Sequence, residues 1–196
     1  MAPYSPRQAD YPIDEAFLSR WSRRSFSGEA VSDADLKSIF EAARWAPSSM
    51  NAQPWRFLFA KAGTPNFDLF LQQLMPFNQA WAKKAGALIV ALSYVKMDYQ
   101  GQIVASPSHA FDTGAAWQNL ALQAHKLGYN TRAMGGFLRD QARVALEVPQ
   151  DYDMQAFIAL GKAGPVADLP ADFQAREVPT TRKPASEFVF EGKFPG

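Results

Sequence analysis

The sequence predicts an α+β domain, built as α/β layers, and three observations predict it. Apolar residues recur at helical spacing along the chain, short apolar runs of strand length fall between those stretches, and proline or glycine punctuates the joins. The alternation alone does not establish a parallel sheet.

The elements follow in order. Asp14 to Arg20 reads as a short helix behind a proline-containing N-terminal arm of about residues 1–13. Ser32 is a candidate N-cap with Asp35 in the capping-box position, Leu36, Ile39, Phe40 and Ala43 form the apolar stripe, and Pro47 stops that helix. Trp55 to Ala60 is a strand candidate; Pro65 to Leu74 and Phe77 to Lys84 read as helices. Ala87 to Val95 is a continuous apolar run, which predicts a central strand buried on both faces. Met97 to Ser108 is polar and reads as an irregular loop or lid. Ala110 to Leu127 is the longest helical pattern, with Trp117, Leu120, Ala121, Ala124 and Leu127 on one stripe and Gly128 as its stop. Tyr129 to Met134 reads as a strand, Arg139 to Leu146 as a helix closed by Pro149, and Gln155 to Gly161 as the last strand. The remaining C-terminal arm, about residues 163–196, ends in an aromatic run, Phe188-Val189-Phe190, too apolar for a free tail and suited to packing on another subunit. The whole chain is read as one domain, 1–196.

Composition excludes several classes. The net charge of +1 gives no footprint for nucleic acid or an anionic membrane. Without cysteine there is no thiolate catalysis, disulfide or thiolate metal site. The first residues carry no signal-peptide pattern, and the apolar run from Ala85 to Leu92 is too short to span a bilayer, so the expected location is cytoplasmic. The two histidines, His109 and His125, lack the spacing of a metal pair. No Gly-x-Ser-x-Gly elbow, phosphate-binding P-loop or Rossmann glycine pattern is present. An enzyme of this composition borrows its chemistry from a cofactor.

Two segments remain. Arg44 to Trp55 offers two hydroxyls, two carboxamides and two indoles between Pro47 and Pro54, a rigid loop suited to a planar, hydrogen-bonding ligand. Arg20-Trp21-Ser22-Arg23-Arg24-Ser25-Phe26 packs three arginines and two serines into one short stretch. Guanidinium forks bind phosphate oxygens bidentately, although a solvated basic turn would look the same. Gly135-Gly136, at a strand end, lets backbone N–H groups approach a ligand without side chains intervening.

Together these segments resemble the FMN-dependent nitroreductase family over residues 20–182. Arg20, Ser22, Arg24 and Phe26 fit its opening pattern, and Pro47, Ser48, Ser49, Asn51, Gln53, Pro54 and Trp55 fit its second without departure. The resemblance implies a nitroreductase-like three-layer αβα sandwich with a mixed, mainly antiparallel central sheet and an exchanged C-terminal arm in a homodimer. It implies tightly bound FMN at the subunit interface and NAD(P)H as transient co-substrate. Arg20, Trp21, Ser22 and Arg182 would hold the phosphate, and Arg24 would lie near the ribityl chain and the N1–C2 edge. Asn78 would face the pyrimidine edge, and Gly135 and Gly136 would donate to flavin N5. Pro47, Ser48, Ser49 and Asn51 would come from the partner subunit. No catalytic side chain and no metal are implied, since the chemistry takes place on the flavin. The activity implied is hydride transfer from NAD(P)H to an electron-poor acceptor (nitroaromatic, quinone or enone) by a ping-pong cycle. Alternatives within the resemblance are reductive dehalogenation, flavin fragmentation or flavin binding without turnover. Trp81 and Thr180 stand where several relatives carry lysine, which predicts a less cationic pocket.

Overall fold

The computed structural model describes residues 7–195; the first six residues of the expected N-terminal arm lie outside them. β1 (Trp55–Lys61), β2 (Ala87–Tyr94), β6 (Tyr152–Gly161) and β5 (Asn130–Met134) form one sheet in the order β1-β2-β6-β5, numbered along the chain with the hairpin strands given below. All three pairings are antiparallel, so among the described residues the expected mixed sheet is narrowed to a fully antiparallel one. β1 and β5 are its edges.

The sequence run of β2 explains the layering. In a strand alternate side chains face opposite ways. Leu88, Val90 and Leu92 join Phe157 and Ala159 in a core with Phe67, Phe70 and Trp81. Ala87, Ile89 and Ala91 join Ile158 and Leu160 in a second core with Leu36, Ile39, Leu120 and Ala124. The first core is closed by α3 (Pro65–Gln72), α4 (Pro76–Ala82) and α6 (Arg139–Ala145), and the second by α2 (Asp33–Arg44) and α5 (His109–Lys126). Three layers result, as the resemblance implies.

Local signals explain most boundaries. Asp14 caps α1 (Glu15–Ser19) by accepting from the Ala16 N–H at 2.8 Å. Ser32 Oγ accepts from the Asp35 N–H at 3.1 Å and donates to Asp35 Oδ2 at 2.7 Å. Asp35 also takes the Tyr129 hydroxyl at 2.7 Å, which ties α2 to the start of β5. Pro65 and Pro76 each sit in the first turn of their helix, where a missing N–H does no harm.

Two expectations are corrected. The stretch read as an irregular loop contains an antiparallel hairpin, β3 (Lys96–Tyr99) and β4 (Gln102–Ala105), with its tip at Gln100 and Gly101, both left-handed. Its solvated residues hid the strand alternation, and only the glycine marked the turn. Leu127 falls off the buried stripe of α5 and is exposed, because the helix ends at Lys126 and Gly128 turns the chain away.

The joins near the candidate site are tight. Phe26 bridges to Ala163, Ser27 N–H donates to the Lys162 carbonyl, and Gly164 N–H donates to that of Ser25. A Cβ on Gly164 would fall 2.3 Å from the Phe26 carbonyl oxygen, so the close approach of these two segments requires glycine there. The extended stretch from Arg20 to Phe26 is thereby fixed beside the end of β6.

Candidate active site

The stretch after α1 opens onto a cleft of about 440 Å³, lined by Arg7, Trp21, Ser22, Arg24, Arg132, Arg176, Val178, Thr180 and Arg182. Among the described residues five arginines line it and no acidic side chain does. Arg132, from β5, stands over the ring of Trp81 in α4 at 5.8 Å.

One carboxylate organises the cleft wall. Glu177 is buried, and its Oε1 accepts from the Arg24 N–H at 2.6 Å, the Ser25 N–H at 2.8 Å and the Ser25 hydroxyl at 2.9 Å. Its Oε2 lies 3.7 Å from Arg24 Nη1, and the Arg24 guanidinium stacks on Phe173 at 5.4 Å. On the other side Arg7 donates to the carbonyls of Leu18 at 2.8 Å, Arg20 at 2.5 Å and Thr180 at 3.0 Å, so it pins the N-terminal arm, the end of α1 and the C-terminal arm together.

Burial, and then the crowding of like charge, act together on these guanidiniums. Burial, followed by the charges of Arg182 and Arg20, holds the Arg7 guanidinium below the usual arginine value. Burial and Arg182 do the same to Arg20. Burial lowers Arg24 against the opposing pull of Glu177, and burial, then Arg24, lowers Arg132. Like charges held together in a concave site favour an anion.

Of the expected residues, Trp21, Ser22, Arg24 and Arg182 meet in this cleft; Arg20 is not among its lining, though its carbonyl accepts from Arg7 and its guanidinium feels the charge of Arg182. Asn78 and Gly136 meet elsewhere in the same chain: Asn78 Nδ2 donates to the Gly136 carbonyl at 2.9 Å, and a Cβ on Gly136 would fall 2.7 Å from Phe77 and 2.9 Å from Asn78. Gly135 has open space where its side chain would be, and among the described residues neither glycine's N–H donates to the protein. Pro47, Ser48, Ser49 and Asn51 line no part of the cleft. Their loop is held by its own bonds. Gln53 N–H donates to Ser48 Oγ at 3.0 Å, Gln53 Nε2 donates to the Asn51 carbonyl at 2.9 Å, and Ser49 N–H donates to buried Asp112 at 3.1 Å. Met50, Asn51 and Gln53 are all left-handed, with φ of 52°, 52° and 47°. For residues other than glycine that conformation is strained, and strain persists where the surroundings over-determine it.

Arg7, Arg132, Arg176, Glu177 and Asp112 escape a reading of the sequence. Each is brought to its site by tertiary contacts across long sequence separations, 153 residues for Arg24 and Glu177. The histidines carry no such role: His125 bonds Ser19 Oγ and His109 bonds Ser93 Oγ, both at 2.7 Å.

With this geometry in place, the relatives decide the family. A family model described as the nitroreductase family matches residues 18–64 and 58–162. This chain belongs to the nitroreductase family. Among solved structures, one described as an oxidoreductase containing FMN is 41% identical, covers 100% of both chains and superposes with a TM-score of 0.94. Protein DrgA of Synechocystis sp. is 27% identical over 176 residues, 76% of this chain and 82% of its own length. The major NAD(P)H-flavin oxidoreductase of Aliivibrio fischeri is 30% identical over 96 residues, 45% of this chain and 44% of its own.

The residues present fit FMN. Arg132, Arg176 and Arg182 line the cleft without an ion pair among the described residues, as suits a phosphate monoester, and the Gly135-Gly136 turn leaves two backbone donors free beside a buried carboxamide.

Proposed function

We propose that this nitroreductase-family member is a homodimeric FMN oxidoreductase that passes hydride from NAD(P)H to an electron-poor small molecule, a nitroaromatic, quinone or enone, in a ping-pong cycle. The observation that carries the reading is the arginine-lined cleft, where Arg24 is paired to the buried Glu177 while Arg132, Arg176 and Arg182 make no ion pair among the described residues. Bound FMN supplies the hydride-accepting and hydride-donating chemistry. Arg20, Trp21, Ser22 and Arg182 hold its phosphate. Arg24, fixed by Glu177 and Phe173, places a cation where negative charge develops on reduction. Gly135 and Gly136 offer their N–H groups, with Asn78 holding the turn from behind.

Ser48, Ser49 and Asn51, on the Pro47 loop, complete the partner's site. Three features support this. The loop stands outside its own chain's cleft, β1 is an unpaired edge bearing the exposed Phe59, and Phe188, Val189 and Phe190 of the C-terminal arm are exposed in the single chain. An arm exchanged between subunits would cover such apolar residues. Among the described residues no helix is long and apolar enough to cross a membrane, in keeping with a cytoplasmic enzyme.

The test is the visible spectrum of the purified protein, where an oxidised flavin band is expected and a colourless protein that ignores added FMN rejects the proposal. Arg20→Ala is expected to weaken FMN binding by more than about 1.5 kcal/mol, as suits loss of a charge-assisted contact. Fluorescence titration of the variant with FMN reads this directly, and unchanged affinity would remove Arg20 from the phosphate site.

A further inference from the structure

We propose that the cleft contains a second oxyanion subsite, formed by Arg132 and Arg176, that takes a phosphate or carboxylate of a ligand other than the flavin. The inference rests on the flavin reading above, because it begins from the charge that FMN leaves unanswered.

The arginines in and beside the cleft fall into two groups. Arg7, Arg20 and Arg182 influence one another, and of these Arg7 and Arg182 line the cleft with Ser22 and Thr180. Arg24, Arg132 and Arg176 influence one another around Glu177. A phosphate monoester carries about −1.5 to −2 near neutral pH, which the first group alone absorbs. In the second group Glu177 answers one cation of three. One further negative charge on a bound flavin ring would still leave a guanidinium without a counter-charge.

The two residues also differ from arginines that serve the fold. Arg143 spends its guanidinium on the carbonyls of Val148, Pro149 and Tyr152, and Arg139 donates to that of Met154. Arg132 gives one nitrogen to the Ser22 carbonyl at 2.6 Å and lies over Trp81, which fixes its plane and leaves its remaining donors for the cleft. The Arg176 side chain lines the same cleft and makes no hydrogen bond or ion pair among the described residues. A fixed fork beside a free one is a receptor for a planar or tetrahedral oxyanion. That anion has two possible sources, an additional phosphate on the hydride donor or an acidic group on the acceptor.

Calorimetry on the flavin-loaded, oxidised protein at low salt separates them. The ligand pairs are NADP⁺ against NAD⁺, and 4-nitrobenzoate against its methyl ester, each differing by one anionic group. At least one pair is expected to show tenfold or tighter binding of the more anionic member, and the pair that does so names the source. Arg176→Ala should reduce that ratio below about threefold while the flavin-to-protein ratio stays at the parent value. Arg176→Lys, which keeps charge but loses the fork, should fall between. Equal binding within both pairs, or a preference that survives Arg176→Ala, overturns the subsite. So does flavin loss in Arg176→Ala comparable to that of Arg20→Ala, which would mean that all six arginines serve one phosphate. A parent protein that carries no flavin instead defeats the flavoprotein reading, and the subsite falls with it.

Discussion

The arginine cleft and the Pro47 to Trp55 loop are built by opposite means. In the cleft the backbone is ordinary and the tension is electrostatic: cations are gathered against one buried carboxylate and kept apart from other acids. In the loop the side chains are neutral and the tension is conformational, with three left-handed residues other than glycine held between two prolines. A charge-built site can be complete within one chain, since the ligand itself supplies the missing counter-charge. A strained neutral loop standing away from that cleft has no such partner within its chain, which is why we assign it to the neighbouring subunit.

Removing the anchor of each region sharpens the contrast. Glu177→Ala should be the most damaging change, since it orphans the Arg24 and Ser25 N–H groups and the Ser25 hydroxyl and leaves Arg24 buried without its counter-charge. A loss of about 3–5 kcal/mol is expected in urea unfolding of the flavin-free protein. Asp112→Ala removes the acceptor for the Ser49 N–H and the Ser108 hydroxyl, worth about 1–2 kcal/mol in the same assay. If the loop serves the partner's flavin, Asp112→Ala should also speed flavin release in dialysis while leaving the cleft of its own chain intact. A loss as large as that of Glu177→Ala would erase the distinction between the two regions.

The smallest effect expected is one of pH. Burial, and then the charge of Arg20, hold the His125 imidazole below the ordinary value of 6.5. The unfolded chain therefore takes up this proton first, so His125 stabilises the fold fully above pH 6.5 and progressively less as the pH falls below it. In His125→Gln the decline of stability on acidification below pH 6.5 should be shallower than in the parent protein, as read from unfolding midpoints across that range.

Much of this architecture is legible in the sequence, and the reason is local. The continuous apolar run of β2, the Ser32 cap and the Pro65 and Pro76 helix starts need only neighbours to declare themselves. Trp21, Ser22 and Arg24 are likewise contiguous, and the motif from Pro47 to Trp55 is long enough to stand out. Glu177, Arg132 and Arg176 lie in unremarkable surroundings, and only folding gives them a common cleft. The contact of Arg132 in β5 with Trp81 in α4 is hidden for the same reason, since position-by-position reading cannot see a contact between elements.

The bond from Glu177 to Arg24 has a consequence in time. A chain made from its N-terminus exposes Arg24 early, but the carboxylate that sets it arrives 153 residues later, and the Thr180 carbonyl that receives Arg7 arrives 173 residues after its donor. Residues 7 to 180 must all have been made before these contacts can form. A nascent chain interrupted before Glu177 would hold all four strands of the main sheet yet lack the carboxylate that sets Arg24 and the carbonyl that receives Arg7.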